Sequence, residues 1–180
     1  AGGPNYIRQF INLKTKKSSL LKIENNFKTV YKEHFSRETD CSKIRGQHNI
    51  FRYIKANKII ILTDDKTKKE DLEIVLLSCK ITKVPYEIVS TDKNNTLGHQ
   101  IINRDKLISL LNTIDLKTRF RSLIQRLPEE FLRECYKKNI SIYNRPPCTN
   151  GRFELLNYYR EQSLSINFHR YGNLMGETNL

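Results

Sequence analysis

The chain has 180 residues, of which 38% are hydrophobic and 28% charged, and 32 Lys and Arg stand against 19 Asp and Glu for a formal net charge of +13. That length suits one domain with its own core plus flanking segments, read as a soluble protein with a lean core. It offers no apolar run near the roughly 20 residues of a membrane span and no basic-then-apolar signal peptide.

The opening Ala1-Gly2-Gly3-Pro4 lacks an initiator Met and reads as a piece of a longer protein. Residues 4–13 predict a short helix, with Pro4 in its first turn and Ile7, Phe10 and Ile11 on one face. Residues 14–22 are polar and basic and predict a linker. Residues 23–35 predict a second helix, with Ile23, Phe27, Val30, Tyr31 and His34 at helical spacing, and 36–49 predict a loop. Ile50 to Ile54 and the isoleucine-rich Lys58 to Thr63 then read as strands, the second apolar enough to be buried on both faces. Thr67 and Glu70 have capping-box spacing ahead of a helix carrying Leu72, Val75, Leu76 and Cys79.

Tyr86 to Ser90 is the next strand, and Leu107, Leu110, Leu111 and Ile114 define a further helix beginning near Asn103. Arg119 to Ile124 is only weakly strand-like, so its element stays open. Pro128, Glu129 and Glu130 open a helix with an imino acid and two anions at its positive end, and its buried face should be Phe131, Leu132, Cys135 and Tyr136. Ile140 to Tyr143 is a strand ended by Pro146 and Pro147, and Asn150 caps a last short helix with Leu155, Leu156 and Tyr159. Alternating strands and helices predict an α/β fold: an open, mostly parallel, Rossmann-like sheet with flanking helices, an N-terminal helical lead-in and an extended C-terminal tail.

Such a sheet raises the question of a dinucleotide, whose pyrophosphate needs glycines after the first strand. Here the turn is Thr63-Asp64-Asp65-Lys66-Thr67, without glycine and with two carboxylates where a phosphate would lie. Nor do the cysteines (Cys41, Cys79, Cys135, Cys148) or histidines (His34, His48, His99, His169) cluster at metal-ligand spacing. Cys148, in a turn, has no base at a suggestive spacing. No catalytic, cofactor-binding or metal site is expected, and reduced thiols fit a cytoplasmic protein. The basic groups Lys14, Lys16, Lys17 and Lys66, Lys68, Lys69 are short, and the second is interleaved with acids. A basic nucleic-acid-binding α/β module is therefore the alternative reading, and no nucleic acid is expected as partner.

The unusual segment is the last. Tyr158 to Asn173 is dense in aromatics, contains Arg160, Glu161 and Gln162, and alternates through Ser163 to Phe168 like a strand that adds to a sheet edge. The stretch from Gly151 to Asn167, GRFELLNYYREQSLSIN, resembles the C-terminal motif of bifunctional proline utilisation enzymes, which join proline dehydrogenase to L-glutamate γ-semialdehyde (pyrroline-5-carboxylate) dehydrogenase. Phe168-His169-Arg170-Tyr171-Gly172-Asn173-Leu174 is similar to the ending of one branch, Ala1 to Tyr6 to a segment near the end of the aldehyde dehydrogenase domain, and Gln47-His48-Asn49 to the lead-in of the C-terminal domain.

The resemblance implies four segments: 1–13 ending an aldehyde dehydrogenase domain, 14–49 linker and helix, 50–157 a Rossmann-like C-terminal domain, and 158–180 a docking motif. It implies a non-catalytic domain that caps a channelling cavity, with NAD and FAD bound elsewhere in the parent and none here. The docking residues would be Tyr159, Arg160, Glu161, Gln162, Ser165, Asn167, His169, Arg170, Tyr171, Gly172 and Asn173. The partner would be the aldehyde dehydrogenase domain of the same parent, with homo-oligomerisation and peripheral membrane association of that parent left open.

Overall fold

The computed structural model describes residues 20–91, 100–102, 106–170 and 173–174, with the backbone alone at 100–101, 169–170 and 173–174. The expected helix at 4–13 and the helix start near Asn103 lie outside the described residues.

The centre is a sheet of five parallel strands, β3 (Lys58–Thr63), β4 (Tyr86–Ser90), β5 (Gln100–Ile101), β6 (Thr118–Ser122) and β7 (Ile142–Tyr143), in the order β5-β4-β3-β6-β7. The chain starts in the middle, moves out to one edge, returns, and moves out to the other. Period-two alternation divides β3 between two cores: Ile59 and Ile61 face one side, Ile60 and Leu62 the other. Helix α1 (Leu20–Val30), helix α2 (Lys69–Thr82) and the C-terminal turns cover the first side. Helices α3 (Leu107–Leu110) and α4 (Glu129–Lys137) cover the second, where Phe120 meets Phe131 edge to face at 5.4 Å.

Several elements depart from the sequence reading for identifiable reasons. Helix α1 already includes Leu20 to Lys22, which composition alone reads as linker, because its Ile23, Phe27 and Val30 are held by the core. It ends in a π-helical turn, Tyr31–Phe35. The wider turn rotates the face by about one residue, so Phe35 is buried and His34 exposed, against the expected His34. The 36–49 stretch is not all loop: it contains β1 (Thr39–Asp40) and the start of β2 (Gln47–Lys55). The Thr67–Glu70 capping box does not form. The Thr67 hydroxyl instead donates to Asp64 Oδ1 at 3.0 Å and accepts from the Asp64 N–H at 2.9 Å, and α2 begins two residues later.

Helix α3 has only four residues, with Leu107 and Leu111 buried. The open stretch after residue 118 is β6, buried at every position despite two arginines. In α4, Phe131 and Cys135 are buried as expected, but Tyr136 points to solvent, being 87% exposed, because half-buried Leu132 already lies on the flank and the four-residue step carries Tyr136 further round from the Phe131–Cys135 line. Strand β7 is two residues, shorter than Ile140–Tyr143.

After β7 the chain folds back under α1. Asn150 caps α5 (Gly151–Glu154), its Oδ1 accepting the Arg152 N–H at 2.9 Å. A 3₁₀ turn, Leu155–Tyr158, follows. Gly151 is where α5 touches α1: its N–H donates to Asn26 Oδ1 at 2.7 Å, and a Cβ there would stand 3.0 Å from Phe27 Cδ1 and 3.1 Å from Phe27 Cα. Since backbone cannot yield as a side-chain tip can, Gly151→Ala is expected to destabilise the fold by about 1–3 kcal/mol. A denaturant titration checks this, and an unchanged midpoint would show that the two helices slide apart freely.

Candidate functional site

The C-terminal motif folds as the outer strand of a second sheet. Strand β8 (Tyr159–Asn167) pairs antiparallel with all of β2, from Lys55↔Tyr159 to Gln47↔Asn167, and β1 pairs with the other edge of β2. The order is β1-β2-β8, so β8 offers an unpaired edge among the described residues. This arm leaves the α/β body at Ala56, whose N–H donates to the Tyr158 carbonyl at 2.9 Å. Phe168 closes its far end, donating its N–H to the Gly46 carbonyl at 2.9 Å and meeting the His48 ring edge to face at 4.6 Å.

Residues directly opposite in an antiparallel pair share a face, so the register assigns the arm two unlike surfaces. One carries Asn49 with Ser165, Phe51 with Ser163 and Tyr53 with Glu161. At its base it becomes core: Tyr159 stacks on Phe35 at 5.0 Å, Tyr53 lies 4.6 Å from Phe35, and Arg152 covers both the Phe35 and Tyr53 rings at 5.6 and 5.8 Å. Arg152 also donates to the Tyr53 hydroxyl at 3.2 Å, which fixes the angle at which the arm emerges. The other face carries His48 with Ile166, Ile50 with Leu164, Arg52 with Gln162 and Ile54 with Arg160. Four of those eight are aliphatic; Leu164 is 40% exposed, and Ile50, Ile54 and Ile166 are half-buried.

The expected docking residues therefore separate. Tyr159 belongs to the core, 4% exposed, with its hydroxyl buried and unpartnered and its ionisation pushed up by burial and then by Tyr31. Arg160, Glu161, Gln162, Ser165 and Asn167 are exposed along β8. Gln162 accepts from Arg52 Nε at 2.7 Å, Arg52 in turn pairs with Glu38 at 2.8 Å, and Ser165 donates to Asn49 at 2.7 Å. His169 and Arg170 form β9, paired antiparallel with β10 (Asn173–Leu174), while Tyr171 and Gly172 lie outside the described residues. Missing from the expected set were the aliphatic partners on β2. Their signal was the period-two face Ile50-Arg52-Ile54, set against Phe51 and Tyr53 on the opposite face.

Beneath the arm lies the most buried charge of the molecule's described part. Arg121 of β6 meets Glu154 through two hydrogen bonds, Nε to Oε1 at 3.1 Å and Nη2 to Oε2 at 3.2 Å, with side-chain exposures of 2% and 0%. Arg121 also donates to the carbonyls of Arg145 and Tyr143, and Glu154 accepts from the Cys148 N–H and the Tyr158 hydroxyl. Burial disfavours the Arg121 charge, but Glu154 and Tyr158 outweigh it and hold the guanidinium above its ordinary value. The pair is a fully satisfied clamp that fastens the 145–158 return to the sheet.

The cysteines fit a structural reading. Cys79, Cys135 and Cys148 are buried and Cys41 is exposed, and none forms a disulfide. Burial, then the charge of Glu154, pushes the Cys79 thiol up to about 12; burial, then Glu134, pushes Cys135 up to about 11. Both stay protonated at neutral pH, the opposite of an activated nucleophile. Among the described residues there is no His, Cys, Asp and Glu grouping able to hold a metal ion, and no helix is long and apolar enough to cross a membrane.

No protein-family model matches the chain, and no curated protein matches it either. A solved structure does: that of Proline Utilization A (PutA) from Corynebacterium freiburgense, with a TM-score of 0.62 and 19% sequence identity over 97% of this chain. The chain spans 15% of the length of that protein. At this identity the likeness is one of fold: the α/β body and the arm together are similar to one stretch of a much longer protein.

Proposed function

We propose that this chain is a C-terminal domain of a bifunctional proline-catabolic enzyme, without a catalytic centre of its own, whose arm docks on the aldehyde dehydrogenase part and caps its substrate cavity. The observation that carries the reading is a coincidence of two independent likenesses. The sequence resemblance is carried chiefly by residues 151–174, whose described part includes the last helix and the arm strand, and the fold likeness to PutA extends over 97% of the chain. Both point to one kind of parent.

Other features support the reading. The strand order β5-β4-β3-β6-β7 reverses direction between β3 and β6, as in a Rossmann-like doubly wound sheet. At that reversal the Asp64 carboxylate takes the Lys66 N–H at 3.1 Å and the Thr67 hydroxyl at 3.0 Å, so the turn fills itself with an anion where a dinucleotide would bring its pyrophosphate. NAD and FAD then belong to the parent's other domains. The aliphatic face of the arm supplies contact area, and the edge of β8 that is unpaired among the described residues supplies backbone hydrogen bonds.

Calorimetry on the chain with an aldehyde dehydrogenase domain of this enzyme type, and separately with NAD, tests the proposal. Saturable binding to the domain with no heat from NAD is expected. NAD binding, or binding to duplex DNA that weakens steeply with salt, would replace the reading.

A further inference from the structure

Arg119 and Arg121 stand two positions apart on β6 and so project to the same side of the sheet, toward the returning C-terminal segment. Their surroundings differ in one respect. Arg121 has the Glu154 carboxylate, whereas Arg119, only 8% exposed, has none among the described residues. Its Nη1 donates to the Tyr143 hydroxyl at 3.1 Å and, at 3.4 Å, to the Asn157 carbonyl; its guanidinium lies 5.7 Å over the Tyr143 ring. Among the described residues its Nε and Nη2 have no partner.

Burial first, and then a second cation, also disfavour the charge of Arg119. Arg160, at the base of the aliphatic arm face, is near enough for its charge to add to burial in holding Arg119 below its ordinary value, against the opposing effect of Tyr143. Asn157, 2% exposed, keeps its side-chain Nδ2 buried with no acceptor. The Arg119 guanidinium, held to the Asn157 carbonyl, thus has that residue's orphaned amide donor and the charge of Arg160 in its neighbourhood, and among the described residues no carboxylate is bonded to it. Buried charges are ordinarily paired, and a buried donor left unmade is costly.

We infer that this corner at the base of the arm, formed by Arg119, Arg160 and Asn157, is a carboxylate-binding site. A carboxylate suits it because two oxygens can bridge one planar guanidinium side-on and still accept from a second donor. The group is an acidic side chain on the surface that the arm docks against, or a free small carboxylate. The first source rests on the proposed docking; the second does not.

The test is an NMR titration of the full chain with sodium acetate replacing sodium chloride at constant ionic strength, following the Arg119 and Arg160 Nε–Hε and the Asn157 side-chain amide signals. Saturable, concerted movement is expected. It should vanish in Arg160→Ala, an exposed site that leaves the fold intact, and in Asn157→Asp, which supplies the missing anion from within. No saturable movement, or movement with phosphate and not acetate, overturns the assignment. A second arm measures binding to the aldehyde dehydrogenase domain. Weakening of at least about tenfold in Arg160→Ala assigns the carboxylate to that domain, since docking would desolvate Arg160 against its partner and stripping one member of such a pair is expensive; unchanged binding assigns the site to a free carboxylate. Should the wild-type chain not bind the domain at all, the docking reading fails while the acetate titration still decides the site.

Discussion

Glu154→Ala is expected to remove about 3–5 kcal/mol of stability, the range for breaking a buried ion pair by deleting one partner. The reason lies in what would be left behind. Arg121 would remain 1% exposed with two carbonyls as its acceptors and no counter-charge, and the Cys148 N–H and Tyr158 hydroxyl would lose the carboxylate that they share. Mesophilic domains hold only about 5–15 kcal/mol in all, so the variant should melt far lower or fold only partly. Replacing both partners by apolar residues, Arg121→Met with Glu154→Leu, should be milder than the single change, because no uncompensated charge is buried. Urea denaturation of the three proteins measures this. A single variant within 1 kcal/mol of wild type would mean water reaches Arg121.

Cutting the chain after Tyr159 and cutting it after Asn157 are expected to have different consequences, although only two residues separate them. Tyr158 is fully buried and Tyr159 is 4% exposed, and both belong to the core beneath α1 and α2. Losing large core side chains costs about 3–5 kcal/mol each, so the shorter product should not hold its fold. The longer product keeps both tyrosines and loses β8 from Arg160 onward together with Phe168, β9 and β10. Circular dichroism should find it folded, with a cooperative melt. In the multidomain enzyme proposed as parent, the same cut after Tyr159 should lower semialdehyde oxidation or its coupling to proline oxidation by at least about tenfold, the effect of misplacing a supporting element by an ångström or so. Unaltered coupled kinetics with β8 gone would defeat the capping role.

The two cuts also show why the segment reads as one motif in sequence but divides in three dimensions. From Tyr158 to Asn167 nothing in residue type separates an anchor from a docking face: tyrosine suits a core and an interface equally well. The division is made partly by the register with β2, which puts Tyr159 on the face that meets Phe35, and partly by distance from the body, since Glu161, Ser163 and Ser165 share that face but stand beyond it, exposed. A one-residue shift of that register would exchange the two faces.

By itself the sequence determined most of what rests on local periodicity, and the Asn150 cap, though not the Thr67–Glu70 capping box. Strand β3, helix α2, strand β4, helix α4, the Asn150 cap and the strand character of Ser163 to Asn167 were all legible because each repeats or punctuates within a few residues. The glycine-free turn after β3 was legible for the same reason. Tertiary structure alone decided the rest. Strand β6 is buried with Arg119 and Arg121 inside it because α5 and the turn after it bring Glu154 and the Asn157 carbonyl from more than thirty residues away. Helix α1 joins the core because Gly151 admits Phe27. The closing motif became an arm only when β2 met it from 110 residues earlier, as in the Arg52–Gln162 contact. Such pairings carry no local signature, since what stabilises them is the partner across the sheet and not the residues beside them in the chain.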